Sequence, residues 1–142
     1  MHNFGLKYFG MANERQGIVH IIGPEQGFSL PGTTYVCVDS HTTRHEAFVA
    51  MAFGISTLEV EHALTTSTLS QVKSQNILIR VDGTLDPGVI SNDIVPHICC
   101  VIGMMGGINC AIEFMGSVVR AQSMEARMSI SSMAIGAGVQ VV

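Results

Sequence analysis

The residues best suited to chemistry stand in a row at positions 39–42, directly after a short apolar run. Asp39, Ser40, His41 and Thr42 place an acid, two hydroxyls and an imidazole side by side, a set that can bind an anion and transfer a proton. The same residue types are preferred helix N-caps, and a helix-like segment follows at once. Two interpretations therefore stand: an active-site corner that grips a carboxylate or phosphate, or a helix cap with His41 bonded to backbone.

The remaining histidines offer one candidate partner for this motif. His20 lies in an apolar run and is either a satisfied core histidine or, if two strand ends are neighbours, a partner of the motif aspartate. His41 and His45 are four residues apart, as metal-binding pairs on a helix are, but no third ligand is evident, so a zinc site is not favoured. His62 and His97 are expected to be structural.

The four cysteines do not have the spacing of a metal site. Cys37, Cys99, Cys100 and Cys110 include no Cys-x-x-Cys pair, whereas metal-binding cysteines are usually two to four residues apart. The first residues contain no apolar segment typical of a secretory signal. We therefore expect reduced thiols in a cytoplasmic protein, packed as small apolar residues.

Composition limits the class of protein. The 142 residues fit one domain, with a net charge of −4, 47% apolar residues and 13% charged residues; soluble domains average about 25% charged. This deficit indicates a surface that is partly buried against something else. No run approaches the ~20 apolar residues that a membrane span needs, and no basic cluster exists, so we expect neither a membrane nor a nucleic acid as partner.

Periodicity and turn signals predict that strands and helices alternate. The expected strands are 34–38, 76–83 and 110–116, and the expected helices are 42–54, 56–69, the segment capped by Asp93, and 117–136. Residues 17–27 form a strand or a short helical turn, and the apolar ending "VQVV" resembles a further strand. The resulting fold class is α/β, a layered parallel or mixed sheet with flanking helices. In such folds ligands bind where Asp39–Thr42 would lie, at the carboxyl end of a strand.

Capping-box spacing supports two of the predicted helix starts. Thr43 and Glu46 have it, and so do Ser56 and Glu59. In this motif the first side chain and the fourth bond each other's backbone N–H groups, which satisfies two donors at the start of a helix.

Three segments together resemble one family. They are "QGIVHIIGPEQGFSLPG", "DSHTTRHEAFVAMAFGISTLEVEHAL" and "IEFMGSVVRAQSMEARMSISSMAIGAG". In order and over nearly the whole chain, they closely resemble the large subunit of isopropylmalate dehydratases, a branch of the aconitase family. The resemblance implies that residues 1–142 are a single partial aconitase-like domain, an internal fragment truncated at both ends relative to the family.

The resemblance also implies a reaction. The family's hydro-lyase converts 2-isopropylmalate to 3-isopropylmalate in leucine biosynthesis by dehydration and rehydration. A 4Fe-4S cluster acts there as a Lewis acid on the substrate hydroxyl and a carboxylate, and a small subunit supplies the base. By resemblance, Asp39, Ser40, His41 and Thr42 bind the substrate, and the catalytic residues are His20, Asp39 and His41, with His20 paired to the motif aspartate.

Several positions depart from the family pattern. Val38 stands where glycine usually precedes the motif, and Ser132 and Gly136 stand where an Asn and a Glu are usual, the Glu being the partner that orients the motif histidine. A turn that is Gly-Gly-Thr-Gly in the family is here Gly-Gly-Ile-Asn, residues 106–109. None of the four cysteines matches the family's cluster ligands, and an upstream Asp-His pair has no counterpart.

From these departures we expect no metal ligands in this chain, no cluster held by it alone, and no activity of the isolated polypeptide. Two alternatives to an enzyme subunit stay open. One is a non-catalytic truncated remnant, and the other is an interaction module or a module that binds a dicarboxylate. The substrate type, isopropylmalate or homoaconitate, also stays open.

Overall fold

A computed structural model of the chain describes residues 5–139 and 141–142. The helices are α1 Val19–Glu25, α2 Thr57–Thr66, α3 Ser91–Ile102, α4 Ser117–Ala121 and α5 Met124–Met133, with 3₁₀ helices at Thr42–Phe48 and Ala134–Ala137. The strands are β1 Thr34–Cys37, β2 Met51–Gly54, β3 Gln75–Arg80 and β4 Cys110–Met115. The predicted α/β class is confirmed.

The strands form two separate parallel pairs. β1 pairs with β2 from Thr34↔Met51 onward, and β3 pairs with β4 from Gln75↔Cys110 onward. Helix α3 connects β3 to β4, the crossover that parallel neighbours require. Val141 forms a parallel bridge with Ala111, so the apolar ending adds to the second pair, in agreement with its strand-like sequence.

The predicted helix over residues 42–54 is wrong. A 3₁₀ helix ends at Phe48, Val49 adopts a left-handed φ of 61°, and the chain then enters strand β2. The apolar run from Ala50 to Phe53 suits a buried strand as well as a helix, and pairing with β1 decides for the strand. Ala52 in that strand is fully buried.

The capping box predicted at Thr43 and Glu46 is also absent. The Thr43 hydroxyl instead donates to the Ser131 carbonyl at 2.9 Å, and the Glu46 carboxylate accepts from the Ala52 N–H at 3.2 Å. Both side chains are buried by contact with distant parts of the chain. Tertiary hydrogen bonds have therefore replaced the local ones.

Of the other capping predictions, the Ser56–Glu59 capping box is confirmed, whereas Asp93 as the N-cap residue is wrong. Ser56 and Glu59 bond each other's backbone N–H groups at 2.7 and 3.3 Å, although α2 ends at Thr66 rather than near residue 69. Asp93 does accept a cap bond, 2.9 Å from the Ile90 N–H, but α3 begins two residues before it. The predicted helix over 117–136 is divided, because Ser123 caps a new helix, α5, after α4 ends.

The main core lies between α3, β4 and α5. Its buried apolar residues are Ile94, Val95, Ile98, Cys99, Ile112, Val118, Ile130, Ala134, Ala137 and Val139. Outside it, many large apolar side chains are exposed, among them Leu58, Val72 and Val101 at more than two thirds of their area. Among the described residues, no helix combines the length and apolar character needed to cross a bilayer.

Glu46 is a buried carboxyl that joins three parts of the fold. It lies on the first 3₁₀ helix, accepts from the Ala52 N–H of β2, and accepts from the Val142 N–H next to the Val141 bridge. The residue is 6% exposed. Burial raises the pKa of Glu46 to about 8, in spite of the two N–H donors that favour its charged form.

This burial predicts that the chain loses stability at alkaline pH. The folded chain keeps the Glu46 proton up to about pH 8, whereas the unfolded chain releases it near its usual pKa of 4.5. Unfolding therefore releases a proton throughout this interval, and the free energy of unfolding falls as pH rises. Between about pH 6.5 and 8.5 we expect a loss of about 2 kcal/mol, measured by urea unfolding.

Glu46→Gln removes the titrating group and is expected to remove this pH dependence, even if the variant is less stable overall. Glu59→Gln is the matched control, because Glu59 is an exposed carboxylate of a capping box. A Glu46→Gln variant that keeps the wild-type slope would contradict the assignment.

Candidate active-site corner

The Asp39–Thr42 segment forms a tight turn at the carboxyl end of β1. The Asp39 Oδ1 atom accepts the His41 N–H at 2.7 Å, and the Thr42 hydroxyl donates to the Asp39 carbonyl. The end of β2 lies against the same turn, because a Cβ at Gly54 would be 3.1 Å from the Asp39 carbonyl oxygen. The motif thus has the position that the sequence predicts, where two parallel strands end.

His20 and Asp39 are in contact, as the sequence predicts. His20 Nε2 lies 2.8 Å from Asp39 Oδ1, which brings α1 to the end of β1. Hydrogen bonds from the His41 N–H and from His20 lower the pKa of Asp39, so its carboxyl is ionised at neutral pH. The contact is confirmed, whereas the catalytic roles of both residues stay predictions.

The motif side chains differ in their access to ligand. Asp39 and Ser40 line a cavity of about 610 Å³ together with Thr43. The His41 side chain is 59% exposed, and its Nδ1 lies 3.2 Å from Ser40 Oγ. Thr42 is fully buried and its hydroxyl is engaged by the Asp39 carbonyl. In this arrangement Thr42 supports the turn, and its contact with substrate stays a prediction.

Sequence reasoning missed a buried extension of the site. His45 is fully buried, with Nε2 at 3.2 Å from His20 Nδ1 and Nδ1 at 2.7 Å from Ser29 Oγ. The Tyr35 ring stacks on His45 with 3.9 Å between ring centroids. Burial, helped by the neighbouring His20 and Arg44, lowers the pKa of His45 to about 4, so this imidazole is neutral.

The four-residue spacing of His41 and His45 would place both side chains on one face only in an α-helix, and the sequence did not favour the zinc site that such a pair suggests. In a 3₁₀ helix each turn has three residues, so side chains four apart do not share a face. His41 points outward and His45 inward. No sequence signal identified Ser29, which approaches from the turn between α1 and β1.

The donor set does not fit an iron–sulfur cluster. Cys37 ends β1, Cys99 and Cys100 lie in α3, and Cys110 begins β4. In the part of the chain that the structure describes, no three His, Cys, Asp or Glu side chains are close enough to hold a metal ion. No step of the chemistry is therefore assigned to a cluster held by these thiols.

The motif histidine also lacks the carboxylate that the family pattern leads us to expect. Ser132 is buried and Gly136 is exposed, and neither can accept a proton as a Glu does. Within residues 5–139 and 141–142, the ion pair of His41 is with Asp39, at 3.5 Å.

The chain is similar to known proteins over most of its length. The model of the aconitase family (aconitate hydratase) matches residues 1–141. The chain belongs to the aconitase family. It is also 62% identical, over 135 residues, to a 3-isopropylmalate dehydratase from Rhizopus niveus. That match covers 95% of this chain but 18% of the relative, so the chain spans about a fifth of the length of that family member.

Gly23 of α1 is predicted to be essential for the packing of this corner. A Cβ there would lie 2.8 Å from His45 Cε1 and 3.0 Å from both Ser29 Oγ and the Tyr35 hydroxyl. We expect Gly23→Ala to lower the free energy of unfolding by about 1–3 kcal/mol, because the enclosed rings have little room to shift. Urea unfolding at neutral pH measures the change.

Gly136→Ala is the matched control. A Cβ at Gly136 meets nothing within 4 Å, so this variant is expected to change stability by less than about 0.5 kcal/mol. Equal losses in the two variants would contradict the packing argument for Gly23.

Proposed function

We propose that this chain supplies the Asp39–His41 corner of an isopropylmalate dehydratase, the hydro-lyase that isomerises 2-isopropylmalate to 3-isopropylmalate in leucine biosynthesis. The observation that carries the proposal is the intact motif, with an ionised Asp39 bonded to His20 at the edge of a cavity. The similarity to a 3-isopropylmalate dehydratase gives the reaction its name.

The geometry suits a hydroxy-dicarboxylate. Asp39 Oδ1 is engaged by His20 and by the His41 N–H, while its second oxygen can accept a hydrogen bond from a substrate hydroxyl. The Ser40 hydroxyl and the His41 imidazole can donate to a substrate carboxylate, and His41 can also transfer a proton. His20 holds the Asp39 carboxylate in place for these contacts.

The remaining parts of the enzyme are proposed to come from outside this chain. The aconitase family implies a 4Fe-4S cluster, and the dehydratase resemblance implies a small subunit that supplies the base. The cysteines of this chain do not fit the cluster, so the isolated chain is expected to be inactive. A cytoplasmic location follows from the biosynthetic role.

A chimera tests the proposal. The 135 matching residues of the Rhizopus niveus protein are replaced by those of this chain, and the product is loaded with its cluster anaerobically. We expect turnover of 2-isopropylmalate. Asp39→Asn and His41→Gln are each expected to lower kcat by roughly 10²–10⁴-fold, because they remove groups that bind the reacting atoms or transfer a proton.

Two exposed residues of the same types provide controls. Asp86→Asn and His97→Gln lie outside the corner and are expected to leave kcat within about twofold. A chimera that holds its cluster but shows no turnover would contradict the proposal. Full activity in the Asp39→Asn chimera would contradict it as well.

A second candidate, a module that binds a dicarboxylate without cluster chemistry, is favoured by the cysteine placement and by the missing Glu partner of His41. Titration calorimetry of the 142-residue chain with 2-isopropylmalate tests it. Heat that is lost in Ser40→Ala but kept in His97→Gln is the expected result for such a module. No heat at millimolar ligand, together with a non-cooperative thermal transition, would instead identify a truncated remnant.

A further inference from the structure

Four side chains form a continuous line of hydrogen bonds from the motif into the interior. Asp39 Oδ1 lies 2.8 Å from His20 Nε2. His20 Nδ1 lies 3.2 Å from His45 Nε2, and His45 Nδ1 lies 2.7 Å from Ser29 Oγ. The Asp39 side chain is 46% exposed, whereas the other three residues are buried. The line therefore joins a carboxylate at the cavity to a hydroxyl inside the protein.

The carboxylate dictates which nitrogen carries each proton. An ionised Asp39 can only accept, so His20 Nε2 must donate to it. In a neutral imidazole the other nitrogen accepts, so His20 Nδ1 accepts from His45 Nε2–H. By the same rule His45 Nδ1 accepts from the Ser29 hydroxyl. All three donors consequently point towards Asp39, which is the order a proton relay requires.

The surroundings hold this line in place. Tyr35 stacks on His45 with an interplanar angle of 23°, and Gly23 approaches its Cε1 from α1 so closely that a Cβ would be 2.8 Å away. Neither residue exchanges a proton with the line. Packing on the His45 ring therefore restricts its movement within the line of hydrogen bonds.

The charged and titratable groups that face His45 disfavour a charged form of its ring. They are His20 from α1, Tyr35 from β1 and Arg44 from its own 3₁₀ helix. Strand β2, Met51–Gly54, has no titratable residue, and α5 meets the 3₁₀ helix through the Ser131 carbonyl at Thr43. Burial and positive neighbours disfavour a charged His45, whereas the Asp39 carboxylate lies 2.8 Å from His20 Nε2.

We infer that Ser29 and His45 form a buried proton relay that delivers a proton to His20 from the side remote from the cavity. In one passage the Ser29 O–H bond breaks as a His45 Nδ1–H bond forms, and the His45 Nε2–H bond breaks as a His20 Nδ1–H bond forms. Ser29 keeps 4% of its area exposed, and the inferred relay takes its proton from solvent at this residue. The net result is one proton taken from solvent, an imidazolium at His20, and a neutral His45 whose proton has moved from Nε2 to Nδ1.

Ser29 and His45 are thereby positioning residues, since they touch neither the cavity nor a substrate and act through His20. The relay goes beyond the dehydratase proposal, because its protonation states can be measured in the 142-residue chain without any turnover.

Long-range ¹H–¹⁵N correlation spectra of the ¹⁵N-labelled chain show which ring nitrogen carries a proton. At pH 8 we expect both His20 and His45 to carry their proton on Nε2. As the sample is acidified, His45 is expected to move its proton to Nδ1 in step with the appearance of a second proton on His20. The opposite tautomer of either ring at pH 8, a charged His45 before a charged His20, or the shifts of an unfolded chain would each overturn the inference.

Two variants separate the relay from simple packing. Ser29→Ala removes the last acceptor, so a proton on His45 Nδ1 would be buried without a partner. We therefore expect the His45 tautomer to change only at a proton concentration roughly tenfold or more higher than in the wild type. Tyr35→Phe keeps the stacked ring, lies outside the line of hydrogen bonds, and is expected to leave this transition unchanged. Equal shifts in the two variants, or none in Ser29→Ala, would show that packing and not the relay governs the histidines.

Discussion

The burial of one short 3₁₀ helix, Thr42–Phe48, determines how the rest of this structure is arranged. Its buried side chains each bond a different neighbour. Thr42 donates to the Asp39 carbonyl, and Thr43 donates to the Ser131 carbonyl of α5. His45 bonds the His20 ring of α1, and Glu46 accepts from N–H groups of β2 and of Val142. Because a 3₁₀ helix has three residues per turn, it can distribute consecutive side chains around its axis within a single turn and a half. The motif at its start is held in position by these contacts.

The same helix carries two titratable groups whose burial acts in opposite directions. Burial lowers the pKa of His45 and raises that of Glu46, so both are neutral near pH 7. Asp39, at the surface of the same corner, is kept ionised by hydrogen bonds. Charge is therefore concentrated on the side that faces the cavity, while the interior behind it stays uncharged, as the cost of burying an unpaired charge requires.

The exposed apolar surface of the chain agrees with its low share of charged residues. Large apolar side chains such as Leu58, Val72 and Val101 remain exposed, and the similar protein from Rhizopus niveus is matched over only 18% of its length. The two parallel strand pairs expose strand edges that a larger sheet would pair. Exposed apolar side chains and unpaired strand edges of this kind agree with the low share of charged residues.

By itself the sequence determined the features that depend on near neighbours. Runs of apolar residues predict strands β1, β3 and β4, and the first of these runs places Asp39–Thr42 directly after a strand. A cap only a few residues long predicts the Ser56–Glu59 contact. The contact between His20 and Asp39 was predicted from the family resemblance and on the condition that two strand ends are neighbours. Only the tertiary structure decided that residues 51–54 form a strand, that Glu46 faces the interior, and that His45 bonds both His20 and Ser29. The physical reason is that an apolar run suits a helix and a strand equally, so partners distant in sequence choose between them, and with that choice they set the direction of every side chain.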